Sequence, residues 1–303
     1  MNDFAPQRAA LADVVAITVT PFDERDRIDR DAYRALVARL VNGGVRTLTP
    51  NGNTSEFYAL TPEERAEELA LTLEVTAGTD TQVVVGVGHD VPTAVAAARA
   101  ARDGGAQMVM VHQPVHPYVS ADGWYAYHRA IADAVPDLGV VPYLRNPLID
   151  GATLARLGAD CPNVIGVKYA VPDPVRFATV AAGAGGDRFV WVAGLAELYA
   201  PAYFACGATG FTSGLVGIAP ELSLAMLTAL RAADYPAAME VWERIRPFEE
   251  LRAENGAANN VTVVKEALAH LGLCRRDIRP PSSVLPEEQR AAVAAIVEGW
   301  GVR

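Results

Sequence analysis

The sequence has 303 residues, of which 51% are hydrophobic and 20% are charged, so the chain can bury a large core. Its formal net charge of -10 and its pI of about 5.0 argue against nucleic acid and anionic membranes as partners. No apolar stretch approaches the roughly 20 residues needed to span a bilayer, and the opening residues lack a secretory signal pattern. Three widely spaced cysteines in apolar contexts predict reduced core thiols and a cytoplasmic protein: Cys161, Cys206 and Cys274.

Short apolar runs alternate with amphipathic stretches through the first two thirds of the chain. The predicted strands are 14–18, 45–49, 82–87, 107–111, 139–143, 164–167, 189–193 and 208–212. The predicted helices between them are 31–41, 62–77, 91–102, 121–134, 152–159, 174–183 and 196–206. Eight such units most simply close into a (β/α)₈ TIM barrel over residues 1–219, with an open doubly wound sheet as the alternative.

The remaining residues, 220–303, contain no strand pattern. They predict three helices: a long one over 221–253 with a break at Asp234–Pro236, one over 259–272 and one over 286–299. We expect these helices to form a C-terminal region packed on the barrel.

Lys168 follows the apolar run Val164–Val167 and therefore lies at the carboxyl end of a predicted buried strand. Parallel α/β sheets carry their chemistry at this end of the strands. Apolar surroundings lower the pKa of a lysine, and a neutral amine can attack a ketone to form an imine. The alternative is a lysine that pairs with a carboxylate at the strand end.

Tyr143 and Arg145 lie at the end of the preceding strand. Adjacent strand ends are about 5 Å apart, so a phenol at Tyr143 can reach an amine at Lys168 and exchange protons with it. The guanidinium of Arg145 can bind a second, distal carboxylate of a substrate. The simpler alternatives are a packing tyrosine and a surface ion pair.

The segment Gly52–Glu56 follows the second strand and precedes a helix with a capping-box pattern at Thr61 and Glu64. Glycine, hydroxyl groups and free backbone N–H groups at such a place form a nest that suits a carboxylate. An ordinary turn before a helix is the alternative.

Together these segments resemble the dihydrodipicolinate synthase / N-acetylneuraminate lyase family, whose members follow a class I aldolase mechanism. The segments that carry the resemblance cover most of the chain: Thr20–Phe22, Gly52–Glu56, Tyr143, Pro162–Lys168 and Ala208–Gly214. The resemblance implies a barrel with C-terminal helices, usually a homotetramer, that needs no metal and no other cofactor. It also implies that Lys168 forms a covalent imine and that Tyr143 relays protons. The predicted substrate-binding residues are Asn53, Thr54, Ser55, Arg145, Gly194, Thr212 and Ser213.

The departures from the synthase pattern indicate which branch of the family is nearest. His116 stands where the synthases have a second tyrosine, with Tyr118 two residues away, and their Gly-Arg-Thr-Gly sequence is missing. Tyr143-Leu-Arg145-Asn instead resembles the Tyr-Asn-Arg-Asp of 5-dehydro-4-deoxyglucarate dehydratases. We expect His116 to be either a general acid–base or a polar wall of the site.

The sequence therefore predicts a lyase or dehydratase that forms an imine with a 2-keto acid, in particular a 2-keto-3-deoxy sugar acid. The catalytic residues would be Lys168, Tyr143 and His116, and the protein would form a homo-oligomer, either a tetramer or a dimer. One alternative is 4-hydroxy-tetrahydrodipicolinate synthase or another pyruvate-dependent aldolase of the family. The other is a homologue that binds a ligand without catalysis.

Overall fold

The structure is a computed structural model that describes residues 4–302. Within these residues, eight short strands form a closed barrel in chain order from β1 to β8. The strands are β1 Val14–Ile17, β2 Thr47–Thr49, β3 Gln82–Val87, β4 Met108–Val111, β5 Gly139–Leu144, β6 Gly166–Tyr169, β7 Val190–Ala193 and β8 Gly210–Ser213. The predicted (β/α)₈ barrel is confirmed, and an open doubly wound sheet is excluded.

A helix follows each of the first seven strands of the barrel, as the glycine and capping patterns predict. The helices up to the end of the barrel are α1 Ala5–Leu11, α2 Arg30–Asn42, α3 Pro62–Thr76, α4 Val91–Asp103, α5 Ala121–Ala134, α6 Gly151–Asp160, α7 Pro174–Gly183 and α8 Ala196–Ala205. The capping box at the start of α3 is present, because Thr61 and Glu64 each bond the backbone N–H of the other. Helix α1 was not predicted.

Helices also make up the region after the barrel, as expected. They are α9 Pro220–Arg231, α10 Tyr235–Ala257, α11 Asn260–His270 and α12 Glu287–Trp300. The break predicted at Asp234–Pro236 separates α9 from α10, with Asp234 capping α10. No helix within residues 4–302 combines the length and the apolarity that crossing a membrane requires.

Backbone contacts group the chain into two compact units. The first unit comprises the described part of Met1–Val15 together with Gln82–Thr212, and the second comprises Ala16–Thr81 with the described part of Ser213–Arg303. In the first unit the core includes Met108, Met110, Val141, Ile165 and Val192. The domain boundary expected at residues 219/220 stays a prediction.

Helix pairs build the interior of the second unit. Tyr33 of α2 is fully buried, and its hydroxyl lies 2.9 Å from that of Thr72 on α3. Phe248 of α10 and Trp300 of α12 meet edge to face, with ring centroids 5.2 Å apart.

The three cysteines are free thiols; Cys161 is buried, whereas Cys206 and Cys274 are only partly buried.

Candidate active site

Lys168 lies within β6 rather than beyond it, because this strand runs two residues further than the predicted 164–167. Its neighbours in register are Tyr143 on β5 and Val192 on β7. Only 5% of the lysine surface is exposed. Among the described residues no carboxylate lies within ion-pair distance of Lys168, so the alternative of a paired lysine has no support in this geometry.

Burial and, to a smaller extent, the positive charge of Arg145 lower the pKa of Lys168 from 10.5 to about 7. An ammonium group loses its hydration in these apolar surroundings, and the nearby guanidinium repels the added proton. About half of the Lys168 side chains are then neutral at pH 7, whereas a solvated lysine is almost fully protonated. This is the state that a nucleophilic lysine requires.

The Tyr143 side chain is buried beside Lys168, as the sequence predicts. The Nζ atom of Lys168 lies 4.4 Å from the centroid of the Tyr143 ring, so the amine faces the ring. An aromatic face attracts a cation, which holds the lysine side chain in one direction. Tyr143 is therefore the candidate for proton exchange with this amine during carbinolamine breakdown.

His112 is a residue that the sequence reasoning did not place in the site. It follows β4 directly, in line with Tyr143, because Val111 pairs with Pro142 across β4 and β5. The imidazole is buried, and its centroid lies 6.4 Å from the Tyr143 ring in an edge-to-face arrangement. Its position at a strand end is the signal that could have identified it.

Gly194 follows β7 and passes close to Lys168. A Cβ atom at this position would lie 2.8 Å from the Tyr169 carbonyl oxygen and 3.0 Å from Cγ of Lys168. The Gly194 N–H donates to the same carbonyl at 2.7 Å, which explains the close approach. Glycine therefore leaves room for the lysine side chain.

Arg145 is exposed after β5, and its backbone N–H donates to Oε1 of Gln113 at 3.2 Å. Among the described residues no carboxylate lies within ion-pair distance of its guanidinium. The simpler reading of Arg145 as half of a surface ion pair therefore has no support here. Its donors remain available for an anionic group of a substrate.

His116 and Tyr118 lie in the exposed loop between β4 and α5. Nδ1 of His116 accepts from the Tyr118 N–H at 3.1 Å and lies 2.9 Å from the Tyr118 carbonyl oxygen. Tyr118 is 86% exposed. The structure thus places these two side chains together in one loop, whereas His112 lies against Tyr143; the catalytic role of His116 stays a prediction.

The loop that carries Asn53, Thr54 and Ser55 belongs to the second unit. The Ser55 hydroxyl donates to the Thr18 carbonyl at 2.7 Å and accepts from the Gly52 N–H at 3.2 Å, so it holds the loop closed. Among the described residues nothing accepts a hydrogen bond from the backbone N–H of Asn53 or Thr54. Two adjacent free N–H groups in a tight turn are the donors of an anion nest.

Thr212 and Ser213 form the end of β8, and both are buried. The Thr212 hydroxyl donates weakly to the Ala193 carbonyl at 3.4 Å. The Ser213 oxygen accepts from the Val216 N–H at 2.8 Å and lies 3.3 Å from the Ser223 hydroxyl. Ser213 therefore shapes the turn after β8, and its binding role, like that of Thr212, stays a prediction.

Comparisons with known proteins agree with these features. The family model of the dihydrodipicolinate synthetase family matches residues 10–299. A probable 5-dehydro-4-deoxyglucarate dehydratase of Rhizobium rhizogenes is 31% identical over 98% of both chains. A 4-hydroxy-tetrahydrodipicolinate synthase of Phenylobacterium zucineum is 34% identical over 95% of this chain and 97% of its own. The crystal structure of dihydrodipicolinate synthase from Bacillus clausii superposes with a TM-score of 0.93 at 40% identity, covering 98% of this chain and 100% of that one.

Proposed function

Because the chain belongs to the dihydrodipicolinate synthetase family and is a lyase, we propose that it acts on a 2-keto acid through an imine on Lys168. The observation that carries this proposal is a buried lysine with a pKa of about 7, placed against the ring of Tyr143 and without a carboxylate partner in the described chain. The family resemblance and the predicted absence of a cofactor fit the same chemistry.

The neutral amine of Lys168 attacks the C2 carbonyl of the keto acid, and Tyr143 passes protons until water leaves and a cationic imine remains. The imine nitrogen withdraws electrons, so C3 can lose a proton. The resulting enamine then expels a hydroxyl group from C4, or in an aldolase it adds to an aldehyde and forms the C3–C4 bond. In the cleavage direction the cationic imine instead accepts the electrons of the C3–C4 bond while the C4 hydroxyl group loses its proton, which gives the enamine and an aldehyde. Water finally adds to the imine and releases the product and the free lysine.

We propose a 2-keto-3-deoxy sugar acid as the substrate class. Two features support this choice: relatives at about 30% identity carry the name of 5-dehydro-4-deoxyglucarate dehydratase, and the guanidinium of Arg145 has no carboxylate partner among the described residues. Arg145 would bind a distal carboxylate or hydroxyl group, and the N–H groups of Asn53 and Thr54 would bind the C1 carboxylate. Arg145→Ala should raise KM for substrates with a distal acid or a distal alcohol, and an unchanged KM for both would remove this assignment.

The first test is the intact mass of the protein after incubation with pyruvate and borohydride. We expect a gain of one reduced pyruvate that is lost in Lys168→Ala. Because Lys168 and Lys265 are the two lysines of the chain, peptide mapping of the trapped protein should place the adduct on Lys168. If pyruvate gives no adduct, longer keto acids are tested next. The absence of an adduct with all of them would favour a protein that binds a ligand without catalysis.

A synthase is the second candidate, since solved dihydrodipicolinate synthases match this chain at 40% and 34% identity with TM-scores of 0.93. A coupled assay with pyruvate and aspartate semialdehyde separates the two activities. Turnover in this coupled assay, together with no dehydration of keto-deoxy sugar acids, would favour the synthase over the dehydratase as the function of the protein.

The acid–base partner of Tyr143 needs its own test, because two histidines follow β4. We propose His112, which is buried against Tyr143, whereas His116 lies in an exposed loop. His112→Asn should lower kcat by about tenfold or more, and His116→Asn should change it less. The reverse order would restore the role first predicted for His116.

We further propose a cytoplasmic homo-oligomer, a dimer or a tetramer. The loops and helix starts after β4, β5 and β6 expose large apolar side chains at Val115, Tyr118, Leu148 and Val175, each more than two thirds exposed. Sedimentation equilibrium over a range of protein concentrations gives the assembly state. A monomer at all concentrations would contradict this part of the proposal.

A further inference from the structure

Lys265 of α11 is the second of the two lysines of the chain, and it is fully buried. Its Nζ atom lies 2.5 Å from Oε1 of Glu56 and donates to the Asp277 carbonyl at 2.6 Å. The same atom sits 4.2 Å from the centroid of the Phe22 ring. Three separate groups thus fix this ammonium at one point inside the second unit.

Glu56 ends the loop that carries Asn53 and Thr54. Its backbone has the left-handed conformation, with φ of 59°, and its N–H donates to the Asn53 carbonyl at 3.0 Å. Its side chain is 3% exposed and turns away into the protein, where Oε2 accepts from the Arg279 N–H at 2.9 Å. The carboxylate therefore connects the loop to α11 and to the segment 277–279.

Glu68 of α3 holds the start of the same loop. Its Oε2 atom accepts from the Asn51 N–H at 3.2 Å, and its Oε1 atom lies within hydrogen-bond distance of the Thr20 hydroxyl. Thr20 also donates to the Ser55 carbonyl at 2.7 Å. Both ends of the loop are thus tied to buried carboxyl groups, while the free N–H groups of Asn53 and Thr54 lie between them.

We propose that Lys265 is a positioning residue that acts through Glu56 and fixes the direction of the Asn53 and Thr54 N–H groups for the substrate carboxylate. A buried ion pair is often no more stabilising than apolar side chains of similar volume, and in some proteins it instead specifies one arrangement of the elements it joins. An anion nest depends on such a fixed arrangement. This inference rests on the proposed function, because a keto-acid carboxylate is the group that the loop would bind.

The test compares Lys265→Met and Glu56→Gln with Glu266→Gln as the control. Glu266 is the next residue of α11 and is also buried, but its partner is Arg276 at 3.0 Å, outside the loop. Two quantities are measured: amide hydrogen exchange in peptides covering 50–60, and the pyruvate concentration that gives half of the maximal trapping rate on Lys168. Urea unfolding establishes that each variant is folded.

We expect both test variants to speed exchange in the loop and to raise the half-saturating pyruvate concentration by about tenfold or more. The trapping rate at saturation should change by less than about threefold, because Lys168 lies in the other unit and keeps its surroundings. The double variant should show no further rise, since Lys265 acts through Glu56. The control should match the wild type in both measurements.

Unchanged amide hydrogen exchange in the loop of the test variants would overturn the inference. A half-saturating pyruvate concentration equal to that of the wild type, in a variant whose loop exchanges faster, would also overturn it. If the wild type traps no keto acid, the proposed function fails, and the exchange measurement alone then decides whether Lys265 holds the loop. If Lys265→Met does not fold because Glu56 is left buried and unpaired, the double variant carries the test, since it leaves neither partner charged.

Discussion

The pKa of Lys168 gives the sharpest prediction about the site. Burial and the charge of Arg145 lower this pKa to about 7, so the neutral fraction is about one half at pH 7, about one tenth at pH 6 and about one hundredth at pH 5. A solvated lysine with a pKa of 10.5 has only about one neutral amine in 3000 at pH 7. Ionisation alone thus favours imine formation on Lys168 by about a thousandfold.

The assay is the rate of pyruvate trapping by cyanoborohydride between pH 5.5 and 9, followed by intact mass, with Lys168→Met as the blank. We expect the rate at low pyruvate to rise tenfold per pH unit below pH 7 and to level off above it, because this rate reports the free protein. Arg145→Gln should move the midpoint to higher pH, since one of the two causes of the lowered pKa is removed.

A rate that continues to rise up to pH 9 without levelling would refute the reasoning, because Lys168 would then titrate like a solvated lysine. An unchanged midpoint in Arg145→Gln would assign the whole effect to burial.

Two further predictions concern packing and stability. Gly194→Ala should lower the trapping rate on Lys168 by about a hundredfold, because the added Cβ would meet the lysine side chain at 3.0 Å and displace it; Gly299→Ala, with open space around it, is the control and should trap normally. Burial raises the pKa of Glu68 from 4.5 to about 8, so between these values the folded chain keeps a proton that the unfolded chain has lost. The contribution of Glu68 to the free energy of unfolding should therefore fall by about 1.4 kcal/mol per pH unit from about pH 4.5 to 8, and urea titrations should show that the wild type and Glu68→Gln differ by this slope.

The barrel could be predicted from the sequence because each βα unit carries its own local signals. Strand β5 is an apolar run buried along its length, and α3 begins with a capping box that the structure reproduces. The bounds of β6 were less predictable, because the polar Lys168 ends the apolar run while its backbone continues in the ladder beside Tyr143 and Val192. Strand length depends on neighbouring strands, which a single run of residues does not reveal.

The site was predictable where a reactive side chain follows an apolar strand, as Lys168 and Tyr143 do. His112 was missed for a different reason: its partner is the Tyr143 ring on the next strand, and that neighbour is set by the register of β4 and β5. Lys265 and Glu56 are more than two hundred residues apart in the chain, and only the folded second unit brings these two charges together.

The two lysines show how surroundings decide what one residue type does. Lys168 has aromatic and apolar neighbours and no carboxylate partner within residues 4–302, so its neutral form is favoured and its nitrogen can act as a nucleophile. Lys265 is buried too, but Glu56 at 2.5 Å opposes the effect of burial on its pKa and favours the charged form. Arginine could not serve at Lys168, because its guanidinium does not lose a proton. At Lys265 a compact ammonium suits the single point between Glu56, Asp277 and Phe22. The amine thus has two tasks in this chain: reaction at Lys168 and fixed charge at Lys265.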